Sequence, residues 1–137
     1  MPEQTTPYGF SVTVPLAYDA AVEKTRAELA KEGFGVLTEI DVKKTMKQKL
    51  DAEFRPYVIL GACNPPLAHK ALTAERDIGL LLPCNIVVYA ADDPKRSVVA
   101  AMDPVAALSL AGKAEIEPLA REVRERLERV LTAVARN

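Results

Sequence analysis

Few of the residues that usually announce a reaction are present. One histidine, His69, and two cysteines, Cys63 and Cys84, stand among 137 residues. A single histidine excludes a zinc site built from several histidines of one chain. Six glycines are present, and the pair Gly33 and Gly35 follows a helical pattern instead of joining a strand to a helix. That arrangement is neither a dinucleotide fingerprint nor a P-loop. An excess of either charge is also missing: 18 Lys+Arg face 19 Asp+Glu, a formal net charge of −1. Such a chain has no long-range attraction to nucleic acid or to an anionic membrane. Nor is there a long apolar run. The most apolar stretch, Ile78 to Ala91, spans fourteen residues and contains Pro83, Cys84 and Asn85, too short for a membrane-crossing helix. The start, Met1-Pro2-Glu3-Gln4-Thr5-Thr6-Pro7, has no basic region followed by an apolar one, so no signal peptide is expected. Cytoplasmic residence follows as the expectation, and with it two reduced thiols.

What the chain does have is apolar content: 49% hydrophobic residues beside 27% charged ones. This is enough for one globular domain, residues 1–137, with a core that needs no disulfide or metal. The order of patterns gives its plan. Tyr8 to Val14 alternates, with Phe10, Val12 and Val14 on one face, and reads as a strand stopped by Pro15. Tyr18, Val22, Thr25 and Leu29 form a helical stripe that Gly33 closes. Phe34 to Val42 is a second strand. Residues 43–50 hold lysines 43, 44, 47 and 49 and predict a short helix anchored by Met46 and Leu50.

Pro56 opens a nearly all-apolar strand, Tyr57 to Cys63, of the kind buried on both faces or central in a sheet. Asn64 is a helix cap with Pro65 at the first helical position, and a helix follows through Leu67, Ala68, Ala71 and Leu72. Cys84 to Ala90 and Ser97 to Met102 are strands joined by the turn Asp92-Asp93-Pro94, a hairpin. Asp103-Pro104 repeats the cap and proline before a short helical segment, Val105 to Leu110, which Gly112 ends. The last helix begins near Glu117-Pro118 and runs almost to Asn137, with an apolar stripe of Leu119, Val123, Leu127, Val130, Leu131 and Val134. Glu122 with Arg126, and Glu125 with Arg129, are spaced to pair on its wet side. The order is β-α-β-(α)-β-α-β-β-α-α. It predicts a two-layer α+β domain: one mostly antiparallel sheet of about five strands, with helices mainly on one face.

The local feature most open to chemistry is a pair of Cys-Asn dipeptides, Cys63-Asn64 and Cys84-Asn85, each at a strand end beside a proline. Cys63 precedes a helix N-terminus, where free N–H groups and the helix dipole would acidify its thiol. If the third and fourth strands are antiparallel neighbours, the thiols meet and the hairpin brings Asp103 to the same rim. If a parallel crossover joins them, the thiols lie a strand length apart, about 20 Å. In the first case Cys63, Cys84, His69 and Asp103 would supply a ligand set for a soft transition metal, with Cys63, Cys84 and His69 the leading ligands. The same group would serve as a reactive thiol with a nearby base, or as a dithiol cycling through a disulfide. Cys-x5-His with a second cysteine fifteen residues on matches no standard zinc pattern. Against these stand plain readings: buried inert thiols, a solvent-facing His69, and Asn64 and Asp103 as caps only. The lysine run is offset by Glu39, Asp41, Asp51 and Glu53 and has no interleaved aromatics. It reads as a solvated face and not a nucleic-acid contact.

Leu60-Gly61-Ala62-Cys63-Asn64-Pro65, then Gly79-Leu80-Leu81-Leu82-Pro83-Cys84-Asn85-Ile86-Val87-Val88, then Asp103-Pro104, resemble in content and order the signature of DUF302. This is an uncharacterised prokaryotic family, and the resemblance runs from the first strand to the C-terminal helix. It implies a compact two-layer α+β domain that forms homodimers and has no established activity. Cys63, Asn64, Pro65, Pro83, Cys84, Asp103 and Pro104 are the matching positions, without assigned roles. Leu80, Leu81, Leu82 and the broad stripe of the last helix also suggest apolar surface left over for a two-fold interface. The expected function is a small homodimeric module binding a small molecule or a metal ion. Its candidate site comprises Cys63, Asn64, His69, Cys84, Asn85 and Asp103, and no cofactor is identified. A thiol-dependent redox or sulfur-transfer enzyme, with Cys63 as nucleophile and Cys84 as resolving thiol, is the alternative. A structural or regulatory partner protein with inert cysteines is the third reading.

Overall fold

The computed structural model describes residues 4–136. Alternating side chains and turn residues yield strands β1 (Gln4–Thr6), β2 (Gly9–Val14), β3 (Gly35–Asp41), β4 (Tyr57–Cys63), β5 (Cys84–Ala90) and β6 (Ser97–Met102). Helical periods yield α1 (Tyr18–Lys31), α2 (Val42–Leu50), α3 (Pro65–Ala74), α4 (Pro104–Leu108) and α5 (Glu117–Ala135), with 3-10 turns over Arg76–Leu81 and Ser109–Ala111. The strands form one sheet in the order β1-β2-β6-β5-β4-β3, with every neighbouring pair antiparallel. The α+β plan expected from the sequence is the one observed, with six strands instead of about five. The additional strand is β1, whose three residues are exposed and polar and so lack the alternation that betrays a strand.

Alternation divides the sheet into two faces. Phe10, Val12, Val14, Val58, Leu60, Ala62, Cys84, Ile86, Val88, Val99 and Ala101 are buried beneath α1 and α5, together with Leu29, Leu127, Val130, Leu131 and Val134. Most of the α5 stripe, Val123, Leu127, Val130, Leu131 and Val134, is therefore covered within the chain, whereas Leu119 is half-buried and Leu80 is 87% exposed. A second, smaller cluster joins Ala71, Ile78, Leu108, Ile116 and Ala120 at one end of the sheet. The other face of the sheet is less fully buried. There Tyr57, Ile59, Val87, Tyr89, Val98, Ala100 and Met102 are half-buried. The rings of Tyr57 and Tyr89 stack at 5.2 Å across paired positions of β4 and β5. So β4 is an interior strand next to the edge strand β3, not a central one, with one face buried and the other half-buried.

Helix ends follow the sequence signals. Gly33 takes φ +84° just past α1, and the Phe34 N–H reaches back to the Leu29 carbonyl at 3.0 Å. Only a residue without Cβ adopts that conformation cheaply. On α5, Glu122 pairs with Arg126 at 2.9 Å, whereas Arg129 turns to Glu32 at 2.9 Å and not to Glu125. None of the described helices is long and apolar enough to cross a membrane.

Candidate functional site

Three elements converge where β4 ends and β5 begins. Because β4 and β5 are antiparallel, Ala62 lies opposite Cys84, and Cys63 is the next residue. The antiparallel alternative is thus the one the chain adopts, and a parallel crossover with its long separation is excluded. Asn64 turns the chain into α3: its Oδ1 accepts from the Leu67 N–H at 3.3 Å, and its Nδ2 donates to the Glu32 carbonyl at 3.5 Å. After α3 and the 3-10 turn, a cis Leu82–Pro83 peptide returns the chain to β5.

Between these elements and α5 lies a cavity of about 280 Å³, lined by Cys63, Cys84, Asn64, Phe34, Leu67, Leu72, Leu82, Leu108, Val123 and their neighbours. It occupies the seam between the main cluster and the smaller one, drawing wall residues from both. Its mouth is rimmed by leucines: Leu37 is 66% exposed and Leu72 is 40% exposed. Leu37 stands there because β3 has a bulge between Val36 and Thr38 that leaves it unpaired with β4. A bulge re-aims a side chain in this way.

The thiols are protonated at neutral pH. Burial pushes the Cys63 thiol above its ordinary value. Burial, reinforced by the nearby Cys63, pushes Cys84 up to about 11. This reverses the acidified Cys63 expected from its place before a helix. The physical reason lies in the helix start itself, since Pro65 and Pro66 have no N–H to offer and Asn64 already takes the Leu67 N–H. The donors that would stabilise a thiolate are missing or spoken for.

The other predicted residues are dispersed. His69 is exposed on α3, away from the wall. Asn85 is exposed opposite Gly61 and lines a groove on the open side of the sheet with Tyr57, Tyr89 and Met102. Asp103 follows β6 at the same end of the sheet, but its carboxylate caps α4 through the Val105 N–H at 2.9 Å and pairs with Arg124 at 3.2 Å. Arg124 in turn lies 5.8 Å from the centre of the Phe10 ring. Among the described residues, no group of three or more His, Cys, Asp or Glu is placed to hold a metal ion. The four-ligand set of Cys63, His69, Cys84 and Asp103 is therefore not gathered: the imidazole faces solvent and the carboxylate is held by its cap and by Arg124. The residues missed by sequence reading are the apolar wall. They come from β3, β4, α3, α4, α5 and the segments between them, and nothing local distinguishes a cavity-lining leucine from a core leucine.

Asp103→Ala removes both the cap and the Arg124 partner and is expected to cost about 0.5–2 kcal/mol, read as a lowered denaturant midpoint. A second expectation concerns alkaline pH. Below the ordinary thiol value of 9.0, Cys84 holds its proton in both folded and unfolded chains. Between 9.0 and about 11 only the unfolded chain releases it, so stability is lost as pH rises through that window. Tyr18, pushed from 10.0 up to about 12 by burial and then by Asp41, Asp19 and Glu39, extends the loss upward. Cys84→Ala should flatten the fall that starts near pH 9; an unchanged profile would contradict the assignment.

The whole-chain comparisons agree with one another. Residues 10–134 match the model of a family described as a domain of unknown function, DUF302. The fold is similar to the crystal structure of an uncharacterised conserved DUF302 protein from Bacillus stearothermophilus. The TM-score is 0.84 and the sequences are 27% identical, covering 92% of this chain and 97% of that one. Curated proteins give no match.

Proposed function

The chain belongs to the DUF302 family, and on the site just described we propose that it is a small-ligand-binding module whose ligand sits in the cavity beside Cys63 and Cys84. The observation that carries this reading is the cavity itself, a preformed concave space at the junction of two clusters, with its two thiols at rest as neutral groups. Ligand sites are typically concave, mostly apolar and preformed. A thiol-dependent enzyme receives less support, since a nucleophile works as the thiolate and neither sulfur is activated. A metal ion would have two sulfurs and no third ligand among the described residues. Cytoplasmic residence fits two unbridged thiols.

Xenon tests the site whatever its natural ligand, because dry apolar cavities take it up. We expect xenon NMR to show exchange with the protein that is abolished in Ala68→Trp, where an indole fills the space. Absence of exchange in the parent would refute the reading and leave a structural or regulatory role. In the same samples, Cys63 should react slowly with a thiol reagent at neutral pH and Cys84 not at all until denaturant is added. A fast native Cys63 would favour the enzyme.

The homodimer is proposed to form across the open face of the sheet. Tyr57, Ile59, Val87, Tyr89, Val98, Ala100 and Met102 present there a half-buried surface with no charge among them, and such a face meets a second copy of itself without like-charge conflict. The parent should sediment as a dimer at micromolar concentration and Ala100→Arg as a monomer. A monomeric parent would end the proposal.

A further inference from the structure

We infer that the ligand is an uncharged hydrocarbon body of about two fused rings, held without any ion pair; this rests on the binding-module reading above. Size comes first. A dry apolar cavity of about 150 Å³ holds one benzene ring. At about 280 Å³, the space here is nearly twice that, which admits a naphthalene-sized group or an alkyl chain folded to similar bulk.

Chemistry of the wall comes second. Phe34, Ala62, Leu67, Ala71 and Val123 line it, and among the described residues no charged side chain does. Asn64 is the polar side chain present, and both ends of its amide are already bonded, to the Leu67 N–H and to the Glu32 carbonyl. The thiols are weak donors that pack well against aromatic rings. A charge brought inside would lose its hydration and find no partner, a heavy cost in an apolar setting. The exposed leucines at the mouth, Leu37 and Leu72, continue the same apolar surface outward instead of offering a head group a polar seat.

The test uses the full chain and two probes of matched ring size. Naphthalene is the neutral one, and its fluorescence is easily read because the chain has no tryptophan. Naphthalene-2,6-dicarboxylate carries a charge at each end, so it cannot enter while keeping both in water. We expect naphthalene to bind with one-to-one stoichiometry and the dicarboxylate at least tenfold more weakly. Ala68→Phe should weaken naphthalene at least tenfold, and its circular dichroism shows whether it has folded. Equal binding of the two probes, or naphthalene binding that Ala68→Phe leaves unchanged, overturns the inference. Xenon exchange without naphthalene binding overturns it too, while the cavity reading stands. Loss of both overturns the cavity reading itself.

Discussion

Replacing Leu60 with alanine should destabilise the domain by about 2–5 kcal/mol, the range for deleting a fully buried leucine side chain. Leu60 is 0% exposed. It lies in β4 between Glu39 of β3 and Ile86 of β5, on the side covered by α1 and α5. Its loss leaves a hole that strands locked in register on both sides cannot close. Denaturant unfolding measures the effect, and Leu50→Ala is the control. Leu50 is 70% exposed at the end of α2, so its replacement should fall within about 0.5 kcal/mol of the parent. If the two variants unfold alike, the helix-covered side of β4 is not the core.

The second large effect is expected from a single added methyl group. A Cβ on Gly61 would lie 2.2 Å from Thr38 Oγ1 and 2.9 Å from Pro83 Cγ. Both neighbours are stiff, one β-branched and one a closed ring. Gly61→Ala should therefore cost about 1–3 kcal/mol, the usual range for overpacking. Thr38→Ala removes the nearer obstacle, so the double variant should recover part of the loss. Coupling of this kind is read from a double-mutant cycle. Simple additivity would mean that β3 does not press on Gly61 as described.

Gly61 also illustrates how far the sequence can be read. Its strand is legible to the residue, as are β5 and β6, because a nearly continuous apolar run between prolines or turn residues has few other solutions. The helix stop at Gly33 and the caps at Asn64 and Asp103 are legible for the same reason: each is local chemistry acting on adjacent amides. The close approach of Thr38 is not legible, since it depends on which strand lies beside β4 and where the bulge falls. The candidate site divides along that line. Cys63, Asn64 and Cys84 can be found because strand ends and caps mark themselves. His69, Asn85 and Asp103 join them only by nearness in sequence or at the sheet rim, and alternation sends Asn85 to the opposite face from Cys84. The direction of the thiol shifts is misleading in the sequence, because a helix N-terminus suggests donors that two prolines and an asparagine have already removed.

The strand order has a consequence for how the chain assembles. Strands β3, β4, β5 and β6 pair in succession, β3 with β4, β4 with β5 and β5 with β6, so their registers can form soon after each segment is made. Strand β2 is different. On one side it pairs with β1, but on the other its partner is β6, with Gly9 opposite Met102, and that contact closes a loop containing most of the chain. Loop closure of this length costs entropy before its contacts repay it. Strand β2, carrying β1 on its far side, should therefore dock late, onto a meander already formed. On the ribosome β2 is made before β6, and it waits for an edge that does not exist until Met102 has emerged.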